Sequence, residues 1–111
     1  MPHYVDPTSF EGQPLILKRH AEGDYSVIVR DMVAGRIMAQ DRSGGRRVWF
    51  WTVTGPHFPD QLQPSNGEAD SLDDAKAAFR AKFDRWLAWA VPLKHMVVWN
   101  VGLLKQSPTA Q

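Results

Sequence analysis

From Arg47 to Thr54 the chain sets large apolar residues on both sides of one extended segment. Val48, Phe50 and Thr52 point one way, and Trp49, Trp51 and Val53 point the other. Side chains alternate along a strand, so this segment belongs in the middle of a sheet with apolar cover above and below. One cover is encoded downstream. Ser71 is placed to cap a helix, Asp74 stands three residues on, and Asp73 and Asp74 suit the positive end of the helix dipole. Leu72, Ala75, Phe79, Phe83, Trp86 and Ala90 then recur at spacings of three and four, which makes one continuous apolar stripe. Lys76, Leu87 and Trp89 flank it, and Arg80 and Asp84 are spaced to pair on the wet side. Pro92 stops the helix near Ala90. A single stripe covers a single sheet face, so the other face needs a second lid: the N-terminal segment with Leu15 and Leu17, the tail with Trp99, or another subunit.

The segments before the central strand read as its neighbours. Tyr25, Val27 and Val29 share one face, Ser26, Ile28 and Arg30 the other, and the β-branched content favours a strand. Arg30-Asp31-Met32 supplies a turn. Val33 to Gln40 alternates again, with Ile37 and Ala39 opposite Arg36, Met38 and Gln40. Asp41-Arg42-Ser43-Gly44-Gly45-Arg46 is a hairpin tip, because Gly-Gly readily takes positive φ. Pro14 to Arg19 is an optional edge strand, since proline is tolerated at a strand start. Residues 55–70 hold three prolines and Ser65-Asn66-Gly67 without periodicity, and they read as a long connection. Leu93 to Leu104 fits extended structure in its Met-Val-Val-Trp run and a helical stripe at Leu93, Val97, Val101 and Leu104; we take the helix as the expectation. The predicted fold is α+β: an antiparallel meander of three or four strands packed against one long helix, in β-β-β-α order. Residues 1–13 read as a loose arm, 14–104 as one domain and 105–111 as a frayed tail.

Composition narrows the function classes. A chain of 111 residues with 43% hydrophobic and 23% charged content suits one small soluble domain. Five Trp and five Phe fill volume that a short chain otherwise lacks. A net charge of +1 supplies no long-range attraction for nucleic acid or anionic lipid. Zero Cys excludes disulfides, thiol catalysis and thiolate metal sites. The start, Met1-Pro2-His3-Tyr4-Val5-Asp6-Pro7, lacks the pattern of a secretory signal, and no apolar run approaches the roughly 20 residues of a bilayer span. A cytoplasmic location without membrane association is expected.

Three constellations carry candidate chemistry. His57 follows the central strand in Gly55-Pro56-His57-Phe58-Pro59-Asp60, where pairing with Asp60 would make it a general base. The four His residues lack metal-site spacing, so neither a metal nor a cofactor is expected. Arg42, Arg46 and Arg47 surround one hairpin tip, with Arg30 and Arg36 on the preceding hairpin. Arginines and exposed indoles on a sheet can neutralise phosphates and stack bases. Against that, Asp31 and Asp41 lie among them, so a solvated hairpin is the simpler account. Trp49, Trp51, Trp89 and Trp99 are the candidate interface residues: if the tail leaves a face uncovered, those rings become a dimer or partner surface.

The order Gly35-Arg36-Ile37, Trp49-Phe50-Trp51-Thr52, Gly55-Pro56-His57, Gly67 and Ser71-Leu72-Asp73-Asp74-Ala75-Lys76-Ala77-Ala78-Phe79 resembles a group of short alphaproteobacterial proteins with no assigned activity. The resemblance covers roughly residues 24–90 and implies the strands and the Ala-rich helix, with no functional residue to carry over. Ser71-Leu72-Asp73-Asp74-Ala75 also resembles the helix start of HicB-type antitoxins, although their Pro-Asp-Leu-Pro-Gly-Cys segment is missing. The expected function is a non-enzymatic interaction module, self-associating or binding a protein partner. The alternatives are a nucleic-acid-binding hairpin and a small enzyme built on His57.

Overall fold

The structure is a computed structural model and describes residues 3–100. Five antiparallel strands follow one another across a sheet: β2 (Leu15–Ala21), β3 (Asp24–Val29), β4 (Met32–Asp41), β5 (Arg47–Val53) and β6 (Asn66–Ala69). A separate two-stranded ribbon joins β1 (His3–Val5) to β7 (Val97–Trp99), and the helix α1 spans Leu72–Ala90. The α+β class holds, while strand count and order exceed the predicted β-β-β-α meander: six strands precede the helix and a seventh follows it.

The turns follow their residue chemistry. Gly23 takes φ +74° between β2 and β3, and Gly44 and Gly45 take +80° and +78° at the tip between β4 and β5. Arg30 reaches φ +58° between β3 and β4, a conformation that glycine would adopt with less strain. A bulge interrupts the β3–β4 ladder, because Val27 faces Gly35 while Ile28 faces Val33, leaving Ala34 unopposed. The Ala34 carbonyl accepts from the N–H groups of Thr54 and Gly55 at 3.0 and 2.9 Å, which fixes the chain as it leaves β5.

Alternation in β5 runs as the sequence predicts. Trp51 and Val53 face α1 and are 8% and 2% exposed, and Trp49 packs half-buried against the same core. Val48 is 2% exposed yet stands outside that core cluster, on the opposite face with Phe50 and Thr52. The Ser71 hydroxyl accepts from the Asp74 N–H at 3.0 Å, and Ala75, Phe79, Phe83, Trp86, Leu87 and Ala90 are buried. Each fully buried ring of this kind contributes about 1.5–3 kcal/mol.

Three glycines let rings reach the backbone. A Cβ on Gly35 would lie 2.6 Å from the Phe79 ring, one on Gly55 would collide with the Trp99 indole, and one on Gly67 would lie 2.8 Å from the Trp51 indole. All three glycines belong to the motif string quoted above, and their common role here is steric.

Three expectations need correction. The tail is extended over Val97–Trp99, not helical. Pro92 closes a short 3-10 turn, Lys94 takes φ +58°, and the β-branched run then pairs with His3–Val5. Leu93, the supposed start of the helical stripe, is 37% exposed; Val101 and Leu104 lie outside the described residues. The segment read as an arm supplies core. Asp6 caps the turn Pro7–Phe10, and Phe10 is 1% exposed, stacked on Trp99 at 5.0 Å. The connection 55–70 contains β6, whose Gly67 faces Trp51 across the ladder.

Candidate functional site

The ribbon and α1 lie on the same side of the sheet. Trp99 meets Trp86 edge-on at 6.1 Å, and Phe10 meets Phe83 at 6.2 Å. Trp51 and Trp99 are therefore core residues, while Trp49 and Trp89 are half-buried against that core. Of the four predicted interface rings, Trp51 and Trp99 are turned into the core, Trp99 against Phe10 and Trp86, while Trp49 lies beside Tyr25 and stays half-buried like Trp89.

The outer sheet face is covered by no element among the described residues. Its protection comes from long polar side chains. Arg36 donates to both oxygens of Asp24 at 2.9 and 2.8 Å, across a ladder that also carries Met38 and Phe50. Arg42 pairs with Glu68, and Arg46 reaches Asp70 at 3.5 Å. At the rim of the helix-side face, in line with Trp49 and Trp51, Arg47 binds Glu22 at 2.8 Å and Asp41 at 3.1 Å. The hydrogen bond from Arg36 holds the Asp24 carboxyl below the usual carboxylate range, against the opposing effect of burial. The Arg47 hydrogen bond, reinforced by its charge, lowers Glu22 in the same way, and both guanidiniums are raised by their partners. Arg30 donates to the Ser9 carbonyl. Four of the five predicted phosphate-binding arginines thus spend their charge on carboxylates.

His57 is exposed beside a shallow cleft of about 250 Å³ that it shares with Thr54, Gln63, Ser65 and Asn100. Asp60 lies outside that lining and begins the short turn Asp60–Leu62, which buries Leu62. The structure brings His57 to polar neighbours but not to a carboxylate. Among the described residues, no group of three or more His, Asp or Glu is placed to hold a metal ion. None of the described helices is long and apolar enough to cross a membrane.

Sequence reasoning marked Pro14 to Arg19 as an optional edge strand but did not single out β2 as a site. It pairs with β3 on one side only, so along its other side alternate N–H and C=O groups face outward without a strand partner among the described residues. Ile16, on the outer face, is 55% exposed. On the helix side, Leu15 and Leu17 join Ile37, Lys76, Ala77 and Arg80 in a groove of about 300 Å³ between β2 and α1. Arg80 is fixed there, since it grips Asp84 at 2.7 and 3.2 Å and donates to the Gln13 carbonyl at 3.2 Å. The strand is divided along its length: Leu15-Ile16-Leu17 is apolar, and Lys18-Arg19-His20 is basic and exposed. The signal that marks it is the proline-led apolar run followed at once by cations.

Comparison with family models, with curated proteins and with solved structures returns no match to this chain.

Proposed function

We propose that this chain is a non-enzymatic interaction module that takes up an extended segment of a protein partner along β2. One observation carries the reading: an edge strand with outward backbone groups stands beside a ready-made apolar groove. Strand addition of this kind draws affinity from main-chain hydrogen bonds and selectivity from pockets for alternate side chains. An added strand would lay every second residue over Leu15, Leu17 and Ala77, and the intervening ones beside Ile16. The fixed Arg80 keeps one wall of the groove in place before anything binds, which limits the ordering cost of association. The Trp-lined sheet face offers less for this role, because Trp51 and Trp99 are buried and Trp49 and Trp89 are half-buried against the core.

The test is amide hydrogen exchange on the full chain with a panel of seven-residue extended peptides of varied charge. Added peptide should slow exchange within residues 15–21 and leave residues 66–69, on the opposite edge, unchanged. A panel in which no peptide of any composition slows residues 15–21, with the chain monomeric in light scattering, defeats the reading.

A further inference from the structure

We infer that the segment accepted by β2 is acidic, with apolar residues beside Leu15–Leu17 and carboxylates beside Lys18–His20; this rests on the edge-docking reading above. The charge distribution carries it. Among the described residues, neither Lys18 nor Arg19 makes an ion pair. Arg19 only leans on the Ala21 carbonyl at 3.4 Å. The carboxylates next along the chain are paired elsewhere, Glu22 with Arg47 and Asp24 with Arg36, although the Arg19 charge adds a little to the lowering of Glu22. Four of the five hairpin arginines are paired with carboxylates in place, whereas Lys18 and Arg19 have no such partner among the described residues. Lys18 projects on the outer face, opposite Ser26, and Arg19 on the helix-side face, opposite Tyr25. A carboxylate at either of two successive positions of an added strand therefore meets a cation, whichever face it takes.

The other occupants fit less well. In a two-fold pairing of β2 with the β2 of a second copy, the middle residue of Leu15–Ala21 is Lys18, which would fall opposite another Lys18. Like charges directly opposite each other destabilise a ladder. The β6 edge of a second copy offers Glu68 and Asp70, but these are already held by Arg42 and Arg46. Residues 101–111 contain Lys105 and no Asp or Glu, so charge does not direct them to this edge.

The experiment is fluorescence anisotropy of the full chain with a labelled peptide, Val-Thr-Val followed by Glu-Glu-Asp. The reversed order is included because an edge accepts parallel or antiparallel partners. A control replaces every carboxylate residue by Lys. One order of the acidic peptide should bind about tenfold or more tightly than the control, and the advantage should shrink as salt is raised. In the K18E/R19E variant the preference should reverse. Both substituted positions are exposed, so unchanged exchange at Val27 and Val29 will report an intact fold. Equal affinity for acidic and Lys peptides, each protecting residues 15–21, overturns the acidic partner and keeps the edge as a docking strand. Self-association that protects residues 15–21 makes a second copy the occupant and overturns it too. Absence of protection by every peptide overturns both readings.

Discussion

On the helix side of the sheet, Val27, Val29, Ile37, Trp51 and Val53 are all at most 8% exposed, and no charged residue is buried among them. On the outer side, Ile16 is 55% exposed, and the half-buried Met38 and Phe50 lie beside the Arg36–Asp24 pair. One face is stabilised by expelled water and close packing, the other by side chains that keep their charged ends wet. The difference shows that a strand apolar on both faces does not require two packed layers. Phe50 lies between Met38 and Glu68 on the neighbouring strands, and Glu68 is paired with Arg42. The difference also sets the polar side of the sheet apart from the buried indoles of Trp51, Trp86 and Trp99.

The sharpest way to break this contrast is to attack the inner face where the chain ends meet it. Trp99→Ala removes a ring that is 2% exposed, stacked on Phe10 and edge-on to Trp86. We expect a loss of about 3–5 kcal/mol in urea unfolding. A loss below about 1 kcal/mol would mean that the β1–β7 ribbon is an appendage, as the sequence suggested for residues 1–13. A smaller effect is expected at Gly35. An alanine methyl there would press on the Phe79 ring and the Thr52 carbonyl, and the carbonyl belongs to a paired strand that yields little. The expected cost is about 1–3 kcal/mol by the same measurement. If Gly35→Ala is neutral, the close approach of α1 to β4 is not a packing constraint.

How much of this was legible in advance follows from the range over which each signal acts. The strands β3, β4 and β5 announce themselves by alternation, their hairpins by Arg30-Asp31-Met32 and Gly44-Gly45, and α1 by Ser71 and a stripe that the structure buries almost residue for residue. Strand β6 could not be seen, because Asn66-Gly67-Glu68-Ala69 has no β-branched residue. It is a strand only because β5 offers a ladder and Gly67 leaves room for the Trp51 indole. The ribbon was hidden for another reason: His3–Val5 and Val97–Trp99 are three residues each, and their pairing joins opposite ends of the chain. Counting faces did not show that His3–Val5 and Val97–Trp99 lie on the helix side, which buries Trp99. The β2 edge was half legible. Pro14 and the apolar run mark a strand, but a groove beside it exists only once α1 is docked.

The outer face provides the gentlest and most specific test. Asp24 is held below the ordinary carboxylate range by Arg36, so its folded form binds a proton less readily than its unfolded form. The pair then contributes its full stability above the unfolded value of about pH 4 and loses it as pH falls through the lower folded value. Side-chain exposures of 51% for Arg36 and 25% for Asp24 mean strong screening by solvent, which limits the contribution to about 0.5–1 kcal/mol. Arg36→Ala should therefore lower stability by that amount at pH 7 and leave it nearly unchanged at pH 2, where the carboxyl is protonated in both forms. Raised salt should shrink the pH 7 difference. The inner-face variants should behave differently, since a cavity beside Trp86 or a methyl against Phe79 costs the same whether Asp24 is charged or not. A Trp99→Ala loss that tracked pH as Arg36→Ala does would show the two faces to be coupled through the sheet, and the division of labour between packing and ion pairing would fail.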